Sequence, residues 1–257
     1  MEVTTFRLVG KQAHFRKFYG TNTAMSYYLP PRTTLMGVLA ARIGLAKESY
    51  HELLHSDRIR LGVASTGALR KSFHRVNNLK VKSVGDFRGR EGHQQTPLEL
   101  VTAPDIRHGE VSYRVYVAAA DPTDAATYER VKAALTEAPP GAFACCLGAA
   151  FCTGSIRGVC SGPATPIEAG TPLALRSAVK VDDVAGFDDF ESRRVEAQGL
   201  YLEEEIFPLD YAADSRRTSA VARVIYPTGP TALRVRLTVP AYRLNEGDGT
   251  AFTFIEP

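Results

Sequence analysis

The fold is decided by the stretch HFRKFYGTNTAMSYYLPPRTTLMGVLAARIGL, which runs from His14 to Leu45. A helix is predicted to begin near Thr34, because Pro31 suits the approach to a helix and a threonine hydroxyl can cap the free amides of the first turn. Apolar residues then recur at helical spacing: Leu35, Val38, Leu39 and Ile43. This spacing predicts one buried stripe. Gly37 is interpreted as a point of close approach and Gly44 as the helix end.

Strand and helix patterns surround this helix in a recognisable order. Alternating apolar residues predict strands at Val3–Val9, Arg58–Ser65 and Val111–Ala119, and a fourth strand near Gly154–Cys160. Helical spacing predicts a second helix over Ala125–Ala138. The order strand, helix, two strands, helix, strand predicts an α+β protein with a ferredoxin-like core, built from two split βαβ units.

The remainder of the chain is predicted to be rich in strands. After Pro172 the pattern predicts strands at Leu173–Val179, Arg194–Leu202, Val221–Tyr226, Leu233–Val239 and Ala251–Ile255. We therefore expect a first domain over residues 1–165, with an insertion at about 67–110, and a β-rich region over residues 166–257.

Composition describes an ordinary globular protein. The chain has 257 residues, of which 44% are hydrophobic, and a net charge of +3. A polyanionic partner must therefore be met by local basic patches, since the overall field is weak. No run of eighteen apolar residues and no signal-like start occur, so we expect a cytoplasmic protein that makes no contact with a membrane.

The segment from Arg70 to His108 concentrates positive charge. It holds eight Lys and Arg residues against four Asp and Glu residues, a net charge of +4 where the whole chain has +3. Large apolar residues are few, so this segment is not expected to pack a core of its own and needs a polyanion or a partner to order it. A solvated surface loop is the alternative.

The quoted stretch resembles the N-terminus of the Cas5 family, a branch of the RAMP superfamily of CRISPR-associated proteins. The resemblance rests on the aromatic-basic cluster, the tyrosine-rich loop and PPRTTLMGVLAARIGL, which ends at Leu45. It implies the RNA-binding subunit of a type I surveillance complex (Cascade) that caps the 5′ handle of the guide RNA (crRNA). The implied partners are that RNA, the backbone and large subunits and, indirectly, target DNA. It also implies that the basic insertion is a thumb and that a glycine-rich loop after residue 139 passes close to the RNA.

The residues predicted to bind RNA are cations and aromatic side chains of these segments. Single-stranded RNA is bound by stacking and by backbone contacts, which aromatic and basic side chains provide. The set is Arg16, Lys17, Tyr19, Tyr27, Arg32, Arg70, Lys71, His74, Arg75, Lys80, Lys82, Arg88, Arg90, Arg107 and Arg157. Phe18 and Tyr28 are further candidates for stacking. Burial under the helix is the alternative for the tyrosines.

No catalytic residue, cofactor or metal is predicted. A metal-independent endoribonuclease that processes the guide precursor is the alternative, with His14 near Lys11, Lys17 and Tyr19, or with His108 beside Arg107. A ferredoxin-like scaffold that binds only proteins is the second alternative.

The other metal-ligand types carry weak signals. The four cysteines, Cys145, Cys146, Cys152 and Cys160, form no C-x-x-C pair and are interpreted as buried, reduced thiols. The run Glu203 to Glu205 is interpreted as a solvated face.

Overall fold

The computed structural model describes residues 1–20, 23–89, 92–137, 143–187, 202–212, 217–229, 231–245 and 250–257. Within these ranges the protein is a sheet-rich α+β structure with two α-helices, α1 (Arg32–Ile43) and α2 (Ala126–Thr136). The strands are β1 (Glu2–Gly10), β2 (Gln12–Ala13), β3 (Phe15–Arg16), β4 (Ser26–Tyr27), β5 (Ile59–Ser65), β6 (Arg70–Leu79), β7 (His93–Thr102), β8 (Val111–Ala119), β9 (Gly154–Ile167), β10 (Leu173–Leu175), β11 (Val179–Lys180), β12 (Val184–Phe187), β13 (Leu202–Tyr211), β14 (Thr218–Pro227), β15 (Leu233–Leu237), β16 (Ala241–Leu244) and β17 (Ala251–Phe252).

A nine-stranded sheet runs through the molecule in the order β12-β15-β10-β17-β16-β9-β1-β8-β5. Its last four strands are the four predicted for the ferredoxin-like core, and they pair antiparallel throughout. Helix α1 lies between β1 and β5 in the chain, and α2 joins β8 to β9. Strand β9 is longer than predicted, so it pairs with β1 along its first part and with β16 along its end. The expected boundary at residue 165 lies within this strand.

Apolar side chains pack on both faces of the central strands. Phe6 and Leu8 of β1 belong to the main core, which also contains the buried stripes of α1 and α2. On the opposite face a smaller cluster joins Val3 to Tyr116 and to Phe252, whose ring stacks on that of Tyr116 with centroids 4.0 Å apart. Alternation along β1 therefore supplies two cores from one strand.

Helix α1 confirms the predicted stripe and the predicted end, and it differs at its start. It begins at Arg32, two residues earlier than predicted, and the N-cap residue Pro31 makes no side-chain capping bond. Gly44 ends the helix as predicted, with φ at 86°. An added Cβ at Gly37 would lie 3.3 Å from the Tyr50 hydroxyl, so the close approach there is to the end of a side chain and not to backbone.

The basic insertion, which was not expected to pack a core of its own, is a β-hairpin. Strands β6 and β7 pair antiparallel from Arg70↔Thr102 to Leu79↔His93. One end is anchored because Leu98, Leu100 and Val101 are buried in the main core. We call the segment Arg70–Thr102 the thumb hairpin.

Other elements lie near their predicted positions. The segment between Leu45 and Ile59 consists of turns, and within it Leu54 is buried. The strand predicted at Arg194–Leu202 falls outside the described residues except at its last position. Strands β11, β14 and β13 form a separate three-stranded sheet. In the part of the chain that the structure describes, no helix is long and apolar enough to span a membrane.

Candidate nucleic-acid interface

The thumb hairpin presents exposed cations along most of its length. Alternation in β6 places successive side chains on opposite faces of the ribbon, and beyond its anchored end neither face is covered. The exposed basic residues from the predicted set are Arg70, His74, Arg75, Lys80, Lys82 and Arg88. Arg90, also predicted, lies outside the described residues. The hairpin therefore projects a basic, solvent-accessible surface, as a contact to a polyanion requires.

The described part of the tip is held by one carboxylate. Asp86 accepts hydrogen bonds from the backbone amides of Lys82 and Ser83, at 2.6 and 2.7 Å from its Oδ2. These amides lower the pKa of Asp86, so it remains a charged acceptor. Val84 and Phe87 of the same 3₁₀ turn are exposed. The tip thus combines a fixed backbone with apolar and basic side chains.

A buried ionic cluster fixes the base of the thumb hairpin. Glu205 of β13, read from sequence as part of a solvated face, is buried and accepts the Lys17 ammonium at 2.6 Å and the Lys71 ammonium at 3.4 Å. Lys71 also lies 3.8 Å from Glu99 of β7. Lys17 and Lys71 were predicted to bind RNA, but their charges are compensated within the chain. They are positioning residues for the hairpin.

Charges and rings around Glu205 reinforce this arrangement. Burial alone lowers the pKa of Lys17, but the hydrogen bond and the charge of Glu205 outweigh burial and raise it overall. The Tyr226 hydroxyl donates to Glu205, and burial followed by the nearby carboxylate raises the pKa of Tyr226 well above its usual value. Lys71 Nζ lies 4.0 Å from the centroid of the Tyr28 ring. The Lys71 ammonium therefore occupies one face of the Tyr28 ring.

The predicted stacking aromatics separate into two groups. Phe18 and Tyr19 are about half exposed, at 50% and 49%, and are accessible to a base. Tyr27 is completely buried and donates its hydroxyl proton to the carbonyl of Ile206 at 2.6 Å. The prediction that Tyr27 stacks on RNA is therefore wrong, and the alternative of burial holds.

Arg32 was predicted to bind phosphate, and this prediction is also wrong because the residue is buried. Its side chain is buried, and it pairs with the buried carboxylate of Asp210. The guanidinium also donates to the carbonyls of Leu209, Leu54 and Ile59, at 3.0, 3.1 and 2.9 Å. It joins α1 to β13 and to the start of β5, and no solvent-facing donor remains for RNA.

Three further predicted cations are exposed outside the hairpin. Arg16 lies in the short strand β3, Arg107 lies in the loop that leads to β8, and Arg157 lies in β9. Arg157 pairs with Glu110 at 3.2 Å, and this pair is half exposed and weak. These residues are available to a polyanion.

The two candidate histidines of the nuclease alternative are far from an assembled set. His14 is buried, with its Nδ1 2.7 Å from the carbonyl oxygen of Glu99, and burial lowers its pKa. His108 is exposed and lies 3.0 Å from Asp105. Lys11, placed beside His14 by the sequence, donates instead to the carbonyls of Arg107 and Gly109. These two carbonyls flank His108, so Lys11 lies beside the loop that carries His108.

The glycine-rich stretch is used partly inside the protein. Gly148 has φ at +88°, and an added Cβ would lie 2.0 Å from the carbonyl oxygen of His14. Gly154 packs against Val9 and Leu147 in a similar way. These glycines allow contact between protein segments, which differs from the predicted approach to RNA. The Pro139-Pro140-Gly141 part of this stretch lies outside the described residues.

The cysteines differ in exposure. Cys152 is buried, Cys145 and Cys146 are partly exposed, and Cys160 is exposed, so the interpretation as uniformly buried thiols is wrong. Burial raises the pKa of Cys145 and of Cys152 to about 11. Among the described residues no group of His, Cys, Asp and Glu side chains could hold a metal ion.

Comparison with known proteins defines the class. A family model described as "CRISPR-associated protein (Cas_Cas5)" matches residues 4–223, most of the 257-residue chain. The chain is therefore a CRISPR-associated protein. More particularly, it belongs to the Cas5 family, and the resemblance seen in the N-terminal sequence is confirmed. No curated protein matches the chain.

Solved structures support the same fold. The chain is similar to a protein described as a CRISPR protein from Archaeoglobus fulgidus, with a TM-score of 0.57, 13% identity and 98% of each chain covered. At this identity the likeness concerns the fold alone. It also matches a chain described as CRISPR RNA-guided surveillance complex, with a TM-score of 0.48, 12% identity, and 90% of this chain and 91% of the other covered. That TM-score is too low to support further conclusions.

Proposed function

We propose that this chain is the RNA-binding subunit of a type I CRISPR surveillance (Cascade) complex and that it caps the 5′ handle of the guide RNA. Membership of the Cas5 family supports a role in such a complex. The observation that carries the RNA-binding role is the thumb hairpin, which is anchored by a buried ionic cluster and exposes its remaining cations. In this role the chain contacts the backbone and large subunits and supports recognition of target DNA only indirectly.

The proposed architecture is a ferredoxin-like RAMP core that carries the thumb. The four antiparallel strands of this part of the sheet lie in the order β9-β1-β8-β5. If they are numbered 1 to 4 along the chain, this order is 4-1-3-2. This order, with a helix in each of the two crossover connections, supports two split βαβ units. The division into residues 1–165 and a β-rich region over residues 166–257 remains part of the proposal.

The proposed RNA contacts are the accessible members of the predicted set. Phe18 and Tyr19 stack on unpaired bases of the handle, and the cations hold phosphates. Those cations are Arg16, Arg70, His74, Arg75, Lys80, Lys82, Arg88, Arg107 and Arg157. Arg90 belongs with them by charge and by its place in the sequence. Arg32, Lys17, Lys71 and Tyr27 act in the fold instead.

The salt dependence of RNA binding tests this proposal. Replacement of Lys80, Lys82 and Arg88 by alanine removes three exposed charges, and each lost phosphate contact makes the slope of log affinity against log salt shallower by about 0.7 for a single strand. We expect weaker binding of handle RNA and a slope shallower by about 2. The melting temperature stays near that of the parent, because these side chains are exposed. An unchanged affinity and slope would favour the protein-binding scaffold.

We further propose that the chain does not cut RNA. The support is that His14 is buried with its Nδ1 at a backbone carbonyl, while His108 is exposed and lies 3.0 Å from the Asp105 carboxylate. Repeat RNA incubated with the purified chain and a chelator should remain intact. Specific cleavage that is lost in His108→Ala would instead establish the endoribonuclease alternative.

A further inference from the structure

A row of three arginines crosses the centre of the large sheet. Arg7 of β1 lies directly opposite Arg114 of β8 on one side and opposite Arg157 of β9 on the other. Directly paired residues on neighbouring strands point to the same face of a sheet. Strands lie about 4.8 Å apart, so the row places three guanidinium groups along roughly 10 Å.

The row lies on the face opposite the helices. Arg7 follows Phe6 and precedes Leu8, both of which are buried in the main core beneath α1 and α2. Since side chains alternate along a strand, Arg7 points to the other face, which Val3 and Tyr116 share with the C-terminal Phe252. The C-terminal cluster covers only part of this face, and Arg7 and Arg157 are exposed.

This arrangement is costly for the isolated chain. Like charges directly opposite one another destabilise a sheet. Arg157 has a carboxylate partner, Glu110, but among the described residues no carboxylate lies within ion-pair distance of Arg7. Arg7 therefore lies on a central strand between two other arginines without a carboxylate partner of its own among the described residues. Such a residue suits an anionic ligand that approaches from solvent.

A groove continues from the row along β1 and β9. It has a volume of about 210 Å³, and Arg7 and Arg114 lie among the residues that line it, together with Thr5, Gly158 and Gly162. An added Cβ at Gly162 would meet no atom within 4 Å, and at Gly158 it would meet only the Arg7 guanidinium. Unlike Gly148, these two glycines leave their surface open to solvent.

The row is continuous with the thumb hairpin through basic residues. Strand β1 ends at Gly10, Lys11 follows with its ammonium on the carbonyls of Arg107 and Gly109, and β2 then pairs with β7 of the hairpin. Arg107 is exposed in this same loop. A single strand bound at the hairpin would therefore meet further cations on its way to the row.

We propose that the Arg7-Arg114-Arg157 row is a second phosphate-binding site, which holds the guide-RNA backbone on the open face of the sheet while the adjoining groove receives a sugar. Guanidinium groups match phosphate geometry in bidentate hydrogen bonds. The groove offers glycines and the hydroxyls of Thr5 and Ser161, and its one aromatic residue, Phe6, is buried in the main core, so the contact reads the backbone and not the base sequence. This inference rests on the proposed function, because it assigns a further part of the same RNA path.

The first test removes positive charge from the row without changing a buried side chain. In the full-length chain, Arg7 and Arg157 are both replaced by glutamine, and binding of a fluorescently labelled oligouridylate is measured over a range of salt concentrations. We expect weaker binding and a slope shallower by about 1.4, from two lost phosphate contacts. The melting temperature should not fall, because the change relieves repulsion across the sheet. Arg130→Gln removes one exposed charge from α2 and serves as the matched control with unchanged binding.

The second test fills the groove without changing charge. Gly162→Leu places a side chain where the structure has open space, and it should weaken oligouridylate binding while the slope stays near that of the parent. Gly186→Leu is the control, since Gly186 is also a strand residue with no atom within 4 Å of an added Cβ but lies in β12, away from the groove. If both leucine variants bind oligouridylate as tightly as the parent does, the groove is not part of the RNA-binding site.

The outcomes separate this inference from the proposed function. If the thumb variant at Lys80, Lys82 and Arg88 loses affinity while the variant at Arg7 and Arg157 does not, the row is no RNA site and the proposed function stands. If neither variant loses affinity, the proposed function itself is overturned. If the row variant loses affinity for polyglutamate but keeps its affinity for oligouridylate, the row binds an acidic protein and the inference is wrong.

Discussion

Arg32→Ala removes a guanidinium that the structure buries between α1, β13 and the start of β5. The change leaves the Asp210 carboxylate, which is also buried, without its cation. It also leaves the carbonyls of Leu209, Leu54 and Ile59 without the donors that lie 2.9–3.1 Å away. A buried acceptor without a donor destabilises the folded state, because it has lost its hydrogen bonds to water and gains none in the protein. The variant therefore tests whether Arg32 is a structural residue or an RNA ligand.

The expected cost follows from the ion pair. Breaking a buried pair by removing one partner destabilises a protein by about 3–5 kcal/mol. Total stabilities are about 5–15 kcal/mol, so Arg32→Ala should lose a large part of the free energy of unfolding. For a chain of this size the loss corresponds to a fall in melting temperature of roughly 6–20 °C. Arg130→Ala, which removes an exposed arginine from α2, should change stability by less than about 0.5 kcal/mol.

Urea unfolding followed by circular dichroism measures the free energy directly. If Arg32→Ala does not fold, the double variant Arg32→Met with Asp210→Leu keeps the test open, because apolar replacement of both partners removes the unpaired charge. We expect the double variant to be more stable than Arg32→Ala. If Arg32→Ala unfolds within about 1 kcal/mol of the parent and loses RNA affinity, Arg32 is an RNA ligand and not a structural residue.

Three further perturbations address the base of the thumb hairpin and the glycine contacts. Glu205→Gln should lower the free energy of unfolding by about 3 kcal/mol, since two ammonium groups lose their buried partner, and hydrogen exchange should quicken first in β6 and β7. Because the pKa of Lys17 is raised in the folded state, its stabilisation is complete below its ordinary value of 10.5 and is lost as the pH rises above that value. Lys17→Met should therefore show a smaller loss of stability in alkaline urea titrations than the parent. Gly148→Ala should cost at least about 2 kcal/mol, because φ is +88° and the new Cβ would clash with His14, whereas Gly162→Ala should be neutral or stabilising by thermal unfolding.

Local patterns in the sequence predicted local structure well. Helix α1 and the strands β1, β5 and β8 follow from the spacing of apolar residues, and Gly44 marks the helix end that its positive φ requires. These signals lie within a few residues of the elements that they define. The four-strand order could be proposed for the same reason, since each element was recognisable by itself.

Burial of polar side chains could not be predicted in this way. Asp210 lies 178 positions from Arg32 in the chain, and the carbonyl that accepts from Tyr27 lies 179 positions away. The local sequence of a cation beside an aromatic cluster is the same whether its side chain contacts a phosphate or a buried carboxylate. The only local signal was that Arg32 opens an apolar helix.

The thumb hairpin and the arginine row required knowledge of pairing. The segment from Arg70 to Leu79 is poor in large apolar residues, so its strand was missed, although Leu98, Leu100 and Val101 carry an apolar signal that would have located its partner. Arg7 and Arg114 were not predicted as ligands because they become neighbours only through the strand register.

Reconstitution of the complex shows whether the chain holds the 5′ handle of the guide RNA. The chain is expressed with the other CRISPR-associated subunits of its host and with a guide RNA that either carries or lacks the repeat-derived handle. Native mass spectrometry of the purified complexes then counts copies of this chain. We expect the chain to join complexes formed on the handle-bearing guide and to be lost from those formed on the shortened guide. Equal incorporation with both guides would contradict it.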